Sequence, residues 1–436
     1  MAMISGKKAW LNSLAEAVRK TPDSLYFTML VLYLLSMLLW KVSFTAPIGL
    51  SGRFIKEVLT DCYLVCLGVF LVSVFFRCIR NVWAMLPVSA AVVLFLLFFA
   101  GMQANNFNGC VIVVLAAGAY GRDYGKILKL YLWCMAAVII LAGIGVLAGF
   151  AKEVPKVGAY GKGLSFGFIH ANFLGIFVMI TFCLAWYIFA KNRAGINRKG
   201  FFALSWVLAW ALGVFTMFVP KCRTAALLLF LFPLLLVFCG KLIGDPGTKK
   251  RRGNSNIVVF FVWILILLPF LCYLITVIVG TQREWLVVHT FGTYIENFSK
   301  RFIQGGLAFK EYGFPLTGKL IRFPSGPAEL LGNYRIRLYI LDNAYAAYTV
   351  FRGMIWMVPA MLWVSYANLK MVQRKDYNLL TISVLFCLMG LMERFPFDIH
   401  NFVLLYPLAS ASGSGINAKR RYRTAFTEDC TANKDK

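Results

Sequence analysis

The chain alternates between apolar segments of membrane-spanning length and short polar breaks, and this alternation limits its fold more than any other feature. A helix needs about 20 apolar residues to cross the hydrocarbon core of a bilayer. The segments predict an all-α polytopic membrane protein with about twelve transmembrane helices. Their predicted bounds are 24–40, 57–76, 82–101, 108–121, 130–150, 171–190, 201–219, 225–243, 257–279, 344–366, 378–392 and 402–415. The fourth, eleventh and twelfth are short for a complete crossing.

Composition supports this class and excludes others. Of the 436 residues, 60% are hydrophobic and 14% are charged, whereas soluble domains average about 25% charged residues. The net charge of +27 does not indicate nucleic-acid binding, because most Lys and Arg residues fall in the short breaks between spans. The eleven cysteines have no metal-ligand spacing, and seven of them lie within apolar runs, so we expect small core residues. We expect neither a metal nor a cofactor.

Charge asymmetry between the breaks predicts the orientation. The breaks that would share one side with the N-terminus carry basic residues, including 249–252 and 419–423, whereas the break MQANNFNG on the other side has none. Cytoplasmic loops carry such an excess of Lys and Arg, so we expect a multi-pass plasma-membrane protein with both termini in the cytoplasm and an uncleaved first span. The predicted parts are a cytoplasmic segment 1–23, spans one to nine within 24–279, a large extracytoplasmic loop 280–343, spans ten to twelve within 344–415, and a cytoplasmic tail 416–436.

The large loop is the only long stretch that is not apolar, and it combines basic and aromatic residues. Guanidinium groups match phosphate oxygens, and aromatic rings cover sugar faces or lie at the lipid interface. The loop is therefore a candidate site for an anionic, glycan-bearing ligand. The alternative is an ordinary surface loop whose cations pair with nearby carboxylates. That alternative is weaker for Arg223, which is also predicted to face outward but has no carboxylate near it in sequence. The basic residues of the loop are Arg283, Lys300, Arg301, Lys310, Lys319, Arg322, Arg335 and Arg337.

Residues 161–175, GKGLSFGFIHANFLG, place His170 and Asn172 where an outer loop enters the sixth predicted span. An imidazole there can titrate near neutral pH or donate a hydrogen bond to phosphate or sugar, although a lone interfacial histidine is also often structural. The stretch resembles the S-F-G-x-x-H-P-N-x-x-G signature of the O-antigen ligase and polymerase superfamily, in particular its oligosaccharide repeat-unit polymerases.

Further stretches resemble the same family in the same order along residues 160–360. They are Cys222-Arg223-Thr224 before the eighth span, NFSKR at 297–301 with AFKEYG at 308–313, and Asp342-Asn343 with a glycine ten residues later. The chain departs from the family at Ala171 (usually Pro), at Cys222 (usually Ser), at Gly163 (commonly Arg, with Lys162 as a possible substitute) and at Asp342. Ligases often have His at the last position, so Asp342 favours a polymerase.

The resemblance implies transfer of a glycan from an undecaprenyl pyrophosphate carrier. Cations would stabilise the leaving pyrophosphate, and a base would accept the proton of the attacking hydroxyl. The candidate catalytic residues are His170, Asp342 and Glu393, although a local ion pair is an equal alternative for Glu393. The candidate substrate-binding residues are Lys162, Asn172, Arg223, Arg301, Arg335, Arg337 and Asn343.

Together these features predict a membrane glycosyltransferase that polymerises undecaprenyl-pyrophosphate-linked repeat units on the outer face of the plasma membrane. The alternatives are ligase-type transfer to another acceptor and a flippase or transporter for the same lipid-linked glycan. The expected partners are the lipid-linked oligosaccharide, membrane lipid, and the flippase and chain-length regulator of such a pathway, but no nucleic acid.

Arg352 lies about one turn into the tenth predicted span. A charged side chain there is expected either to face a cavity or a partner, or to reach the outer surface.

Overall fold

The computed structural model describes most of the chain outside its two ends. The described residues are 20–79, 115, 118–119, 122–158, 161–192, 198–243, 255–281, 296–318, 329–331, 334–336 and 341–394. Within them the chain is mostly helical, in agreement with the predicted all-α class. The described residues do not include the predicted spans 82–101 and 402–415, most of the predicted span 108–121, most of segment 1–23, or the tail 416–436. The count of twelve spans therefore stays a prediction.

Helices and two small hairpins make up the described part. The helices are α1 (Asp23–Leu39), α2 (Ala46–Ile79), α3 (Tyr124–Leu147), α4 (Ala171–Asn192), α5 (Arg198–Phe218), α6 (Arg223–Ile243), α7 (Ser255–Ile266), α8 (Leu268–Thr281), α9 (Glu296–Tyr312), α10 (Ala344–Arg352), α11 (Met354–Gln373) and α12 (Tyr377–Gly390). The hairpins are antiparallel, with Val157 of β1 (Lys156–Gly158) opposite Lys162 of β2 (Gly161–Gly163) and Leu330 of β3 (Glu329–Leu331) opposite Arg335 of β4 (Tyr334–Ile336).

Five of the described helices are long and apolar enough to cross a membrane, namely α2 to α6, and a sixth crossing is possible if the bent pair α7 and α8 forms one span. Many of the exposed side chains on these helices are large and apolar, including Leu147, Trp133 and Phe218. Water would not favour so much exposed apolar surface, whereas lipid would. The described part therefore has the surface of a membrane protein.

Polar side chains begin several of these helices where the sequence changes from polar to apolar. Asp123 accepts a hydrogen bond from the backbone N–H of Gly125 at 2.9 Å before α3, and Asp376 accepts one from Leu379 at 3.1 Å before α12. Such caps satisfy backbone donors that have no partner in the first helical turn. The helix α12 therefore begins one residue before its predicted start at 378, whereas α3 begins six residues before its predicted start at 130.

Two predicted spans are broken in the structure. The predicted span 257–279 is two helices bent by 71° between Ile266 and Leu268, because Pro269 cannot donate a backbone hydrogen bond and its ring obstructs the preceding turn. The predicted span 344–366 is broken at Gly353, whose φ of 84° and ψ of 167° belong to a region that glycine occupies easily. Hydropathy averages over both breaks and predicts continuous helices.

The helices α4, α6 and α12 begin and end at the same two ends of the bundle. At one end the Tyr187 hydroxyl donates to Asp376 Oδ2 at 2.8 Å, and the Tyr377 ring lies beside Gly240. At roughly 1.5 Å per residue, the other ends of α4 and α6 lie about 25 Å away. There the start of α4 contacts the start of α6, because Gly175 packs directly on Cys222. This distance approaches the thickness of a bilayer core, and in the predicted orientation this is the outer end.

Candidate functional site

Arg301 on α9 lies at the centre of an ion-pair cluster at the predicted outer end. Its Nη1 donates to Glu393 Oε1 at 2.9 Å and to the backbone carbonyl of Met392, and its Nε lies 3.5 Å from Asp342 Oδ2. The three charged side chains come from distant parts of the sequence, and all three are residues that the sequence predicts for the site. We call Arg301, Asp342 and Glu393 the charged cluster.

Glu393 is the buried member of the charged cluster. It follows the C-terminal end of α12 and is 2% exposed, whereas the Asp342 side chain is 35% exposed. The Thr224 hydroxyl donates to Glu393 Oε1 at 3.0 Å from the first turn of α6. Thr224 completes the Cys222-Arg223-Thr224 motif, but its role as a partner of Glu393 is a contact that the sequence does not reveal.

Burial and neighbouring charges shift the pKa of Glu393 upwards. Removal from water disfavours the carboxylate, and the negative charge of Asp342 adds to this effect, while Arg301 and Thr224 act in the opposite direction. Burial alone would lower the pKa of Arg301, but the two carboxylates outweigh it and raise that pKa. Arg301 is therefore firmly cationic, whereas ionisation of Glu393 has a net cost.

The helix α9 carries Arg301 within the predicted outer loop and is held against the bundle by apolar contacts. Phe302 and Phe309 on this helix are buried, and Gly306 packs directly on Gly280 at the end of α8. A side chain at Gly306 would collide with the α8 backbone, so the two helices approach closely only because both residues lack one. Part of the predicted loop is thus a packed helix that fixes the position of Arg301.

Asn343 is fully buried, and its amide binds within the protein. Its Oδ1 accepts from the backbone N–H of Ala346 at 3.1 Å and so caps α10. Its Nδ2 donates to Thr276 Oγ1 and to the carbonyl of Leu391, each at 3.1 Å. Asn343 therefore holds the backbone beside Asp342 in place, and a contact of this amide with substrate stays a prediction.

His170 lies immediately before α4 with an exposed side chain. Its Nδ1 accepts a hydrogen bond from the backbone N–H of Asn172 at 3.1 Å. Because Nδ1 is the acceptor, a neutral imidazole carries its proton on Nε2 in this arrangement. That nitrogen then donates hydrogen bonds and cannot act as a base. The geometry favours His170 as a hydrogen-bond donor over the alternative role as a proton acceptor.

Two further predicted cations lie near the start of α6. Arg223 is the first residue of that helix and is exposed. The exposed Lys162 lies on β2, and the backbone N–H of Leu164, just beyond that strand, donates to the carbonyl of Val219 at 2.9 Å. The hairpin therefore lies against the turn that precedes Arg223, which places both cations at the same end of the bundle.

Lys41 adds a cation that the sequence does not assign to the site. Its backbone carbonyl accepts from Ile169 N at 2.8 Å, and its Nζ lies 4.9 Å from the centre of the Phe173 ring, beside His170. Lys41 follows the first span, where a basic residue has no motif to mark it. Only the pairing of this segment with residues 167–169 connects it to the site.

The structure brings together some of the predicted site residues and leaves others apart or undescribed. Arg301, Asp342 and Glu393 are in direct contact, with Asn343 next to them in the chain. For Arg335 the structure describes only its place on β4, and Arg337 lies outside the described residues. Among the described residues, no group of three or more His, Cys, Asp or Glu side chains could hold a metal ion. The residues at the neighbouring helix starts are Lys162, His170, Asn172 and Arg223.

Comparison of the chain with protein-family profiles, with curated proteins and with solved structures finds no match to any of them.

Proposed function

We propose that this protein is a membrane glycosyltransferase that joins undecaprenyl-pyrophosphate-linked oligosaccharide units on the outer face of the plasma membrane. One observation carries the proposal: the half-exposed Asp342 carboxylate is held by a buried Arg301–Glu393 pair at the same end of the bundle as His170 and Arg223. These residues are far apart in sequence, and all of them except Glu393 lie in motifs that resemble one family in the same order.

The reaction needs a proton acceptor and a stabilised leaving group. The oxygen of an acceptor hydroxyl forms a bond to the anomeric carbon of the donor glycan. The bond between that carbon and the phosphate oxygen breaks, and the lipid pyrophosphate leaves with the bonding electrons. In our proposal Asp342 accepts the hydroxyl proton, because it is the more exposed of the two carboxylates in the charged cluster.

Glu393 acts as a positioning residue in this scheme. It is buried among Arg301 and Thr224 and so has little access to an acceptor sugar. Its contact with Arg301 fixes the guanidinium whose Nε faces Asp342. Because the two carboxylates already compensate the charge of Arg301, this arginine is better suited to orienting Asp342 than to holding a pyrophosphate.

The leaving pyrophosphate is assigned to the neighbouring helix starts. Arg223 and Lys162 are exposed cations there, and His170 carries its donor on Nε2. Cations placed where negative charge develops stabilise the transition state. The division of labour is therefore an acid–base region around Asp342 and a cationic region at the starts of α4 and α6.

Elongation by purified protein tests the proposal. Wild type, Asp342→Asn, His170→Ala and the control Glu311→Gln, which changes an exposed carboxylate on the same side, are given lipid-linked units in detergent, and products are separated by length. Asp342→Asn should lose on the order of 10²–10⁴ of the rate with little change in donor binding, whereas His170→Ala should weaken donor binding. Glu311→Gln should elongate normally.

The wild-type products separate the alternatives. A ladder of chains longer than one unit supports polymerisation. Transfer of single glycans to a different acceptor, without a ladder, would instead identify a ligase. If wild type transfers no glycan, although a second enzyme preparation shows that the substrates are competent, the proposal is contradicted and a flippase is favoured.

A further inference from the structure

Arg352 occupies a second polar position on the predicted outer side, separate from the charged cluster. It ends α10, immediately before the break at Gly353. From Asn343, at the opposite end of α10, the helical rise of roughly 1.5 Å per residue places Arg352 about 13 Å away. A single pyrophosphate group is too short to contact both ends of this helix, so Arg352 needs its own explanation.

The guanidinium of Arg352 lies between two aromatic rings. Its Cζ is 4.5 Å from the centre of the Tyr348 ring and 5.6 Å from that of Trp356. Tyr348 lies one turn earlier on α10 and Trp356 lies just beyond the break on α11, so the guanidinium contacts a ring on each side of the break. Such rings attract a cation and fix the plane of its hydrogen-bond donors.

One nitrogen of this guanidinium has no hydrogen-bond partner. Nη1 of Arg352 is buried and makes no hydrogen bond to any described residue. No described carboxylate forms an ion pair with Arg352 either. A buried donor without an acceptor is costly, and an arginine with open donors matches the paired oxygens of a phosphate group.

The surroundings of Arg352 indicate that such a phosphate belongs to a lipid. Met354 and Ile355 at the start of α11 donate to the carbonyls of Pro315 and Leu316 at 2.9 and 3.1 Å. This turn presents Leu316, 69% exposed, and Ile355 is itself 41% exposed. Apolar side chains that are exposed beside a cation suit acyl chains that lie below a charged headgroup.

The depth of Arg352 matches the lipid headgroups. The helix α11 is not among the helices apolar enough to cross by composition, but it continues the predicted span 344–366, and its 20 residues rise about 30 Å, comparable to the thickness of the hydrocarbon core. The far end of α11 meets the turn that contains Arg374 and Asp376, on the predicted cytoplasmic side. In the predicted orientation, with α11 as part of the tenth span, Arg352 lies at the level of the outer headgroups, where tryptophan and tyrosine are also enriched.

We propose that Arg352, Tyr348 and Trp356 form a binding site for the phosphodiester of an outer-leaflet glycerophospholipid. The site lies beside the break between α10 and α11, and its lipid holds Arg352 through the donors that the protein leaves open. The occupant is a structural membrane lipid and is distinct from the lipid-linked glycan of the proposed reaction.

Native mass spectrometry of the purified full chain with titrated phosphatidylglycerol tests this site. Arg352→Gln should lower the affinity for the tightest-bound phosphatidylglycerol by about tenfold or more, because it removes charge-assisted hydrogen bonds. Arg352→Lys should lower it by a smaller factor, because the ammonium keeps the charge without the planar fork. Diacylglycerol with the same acyl chains should bind equally weakly to wild type and variants.

Lys370→Gln is the matched control. Lys370 is on α11 and its Nζ lies 5.2 Å from the ring of Tyr366, but this Nζ donates a solvent-exposed hydrogen bond to Gln373. This variant should bind phosphatidylglycerol as wild type does. If Arg352→Gln does not fold, Trp356→Leu keeps the charge, removes one ring and should also lower the affinity.

Three results would overturn the proposal. The first is unchanged phosphatidylglycerol binding in the folded variants of Arg352 and Trp356. The second is equal affinity of wild type for phosphatidylglycerol and diacylglycerol. The third is displacement of phosphatidylglycerol by an equal concentration of undecaprenyl phosphate, which would assign the site to the carrier lipid instead.

Discussion

Replacing Arg301 by methionine keeps much of the side-chain volume but removes the one cation that, among the described residues, pairs with both carboxylates of the charged cluster. In the wild type, Nη1 of Arg301 bonds to Glu393 and to the carbonyl of Met392, and Nε faces Asp342. After the change, Glu393 remains 97–98% buried with a second carboxylate nearby and no counter-ion. We therefore expect Glu393 to take up a proton in the folded variant.

The cost of that proton sets the size of the effect. An ordinary glutamate pKa of 4.5 makes protonation at pH 7 cost about 3.4 kcal/mol at roughly 1.4 kcal/mol per pH unit. The hydrogen bond lost at the Met392 carbonyl adds about 1 kcal/mol. The wild type already carries part of the first cost, because its Glu393 pKa is raised. The free energy of unfolding should fall by about 2–4 kcal/mol at pH 7 and by only about 1 kcal/mol at pH 5.

Reversible unfolding in mixed micelles, followed by tryptophan fluorescence at both pH values, measures this difference. The double variant Arg301→Met with Glu393→Gln has no carboxylate at position 393 and should recover about 2 kcal/mol at pH 7 relative to Arg301→Met. The free energy of unfolding of Glu393→Gln alone should lie within about 1 kcal/mol of the wild-type value. In this variant Arg301 still pairs with Asp342, and the Thr224 hydroxyl can donate to the oxygen of the new amide. An equal loss at pH 5 and pH 7 for Arg301→Met would refute the reasoning.

Two further predictions concern the pH profile and the cationic region. Since the folded protein binds the Glu393 proton more tightly than the unfolded chain does, this contribution to stability is fully present below about pH 4.5 and is lost as the pH rises through the raised pKa. The free energy of unfolding, measured from acidic to neutral pH, should therefore change less with pH in Glu393→Gln than in wild type. The same pH dependence in both proteins would contradict this prediction. Arg223→Lys keeps the charge but not the planar fork of donors, so elongation should drop about tenfold or more with normal membrane insertion; normal polymer from this variant would mean that only the charge matters.

Hydropathy predicts the long helices of this chain well and its irregular elements poorly. The predicted spans at 24–40, 171–190 and 225–243 agree closely with α1, α4 and α6. The helix α9 lies where the sequence predicts an outer loop, because its apolar residues are spaced on one face and are too few to register as a span. Its position depends on the contact of two glycines, Gly280 and Gly306, from segments that are separate in the sequence.

The candidate site was predictable as a set of residues but not as an arrangement. Motif order selects Arg301 and Asp342, Glu393 is selected as a carboxylate at a predicted outer boundary, and the structure places the Arg301 side chain in contact with both carboxylates. For Glu393 the sequence favours equally a local ion pair with Arg394, whereas its ion pair in the structure is with Arg301, 92 residues earlier in the chain. Which carboxylate is buried and which is exposed depends on tertiary packing, and that difference underlies the separate roles proposed for Glu393 and Asp342.

The bend between α7 and α8 has a consequence for the order of assembly. Pro269 leaves the carbonyl of Leu265 without a helical donor, so this carbonyl accepts instead from Asn368 Nδ2 at 2.9 Å, and Asn368 in turn accepts a hydrogen bond from Ser383. Asn368 lies on α11, about a hundred residues further along the chain, and a bare carbonyl in lipid is costly. We therefore expect the carbonyl of Leu265 to stay without a partner, and residues 255–281 to sample a range of bend angles, until α11 has inserted. In a chain that ends before residue 354, distances between spin labels on either side of Pro269 should be more broadly distributed than in the full chain, and an equally narrow distribution would disprove this.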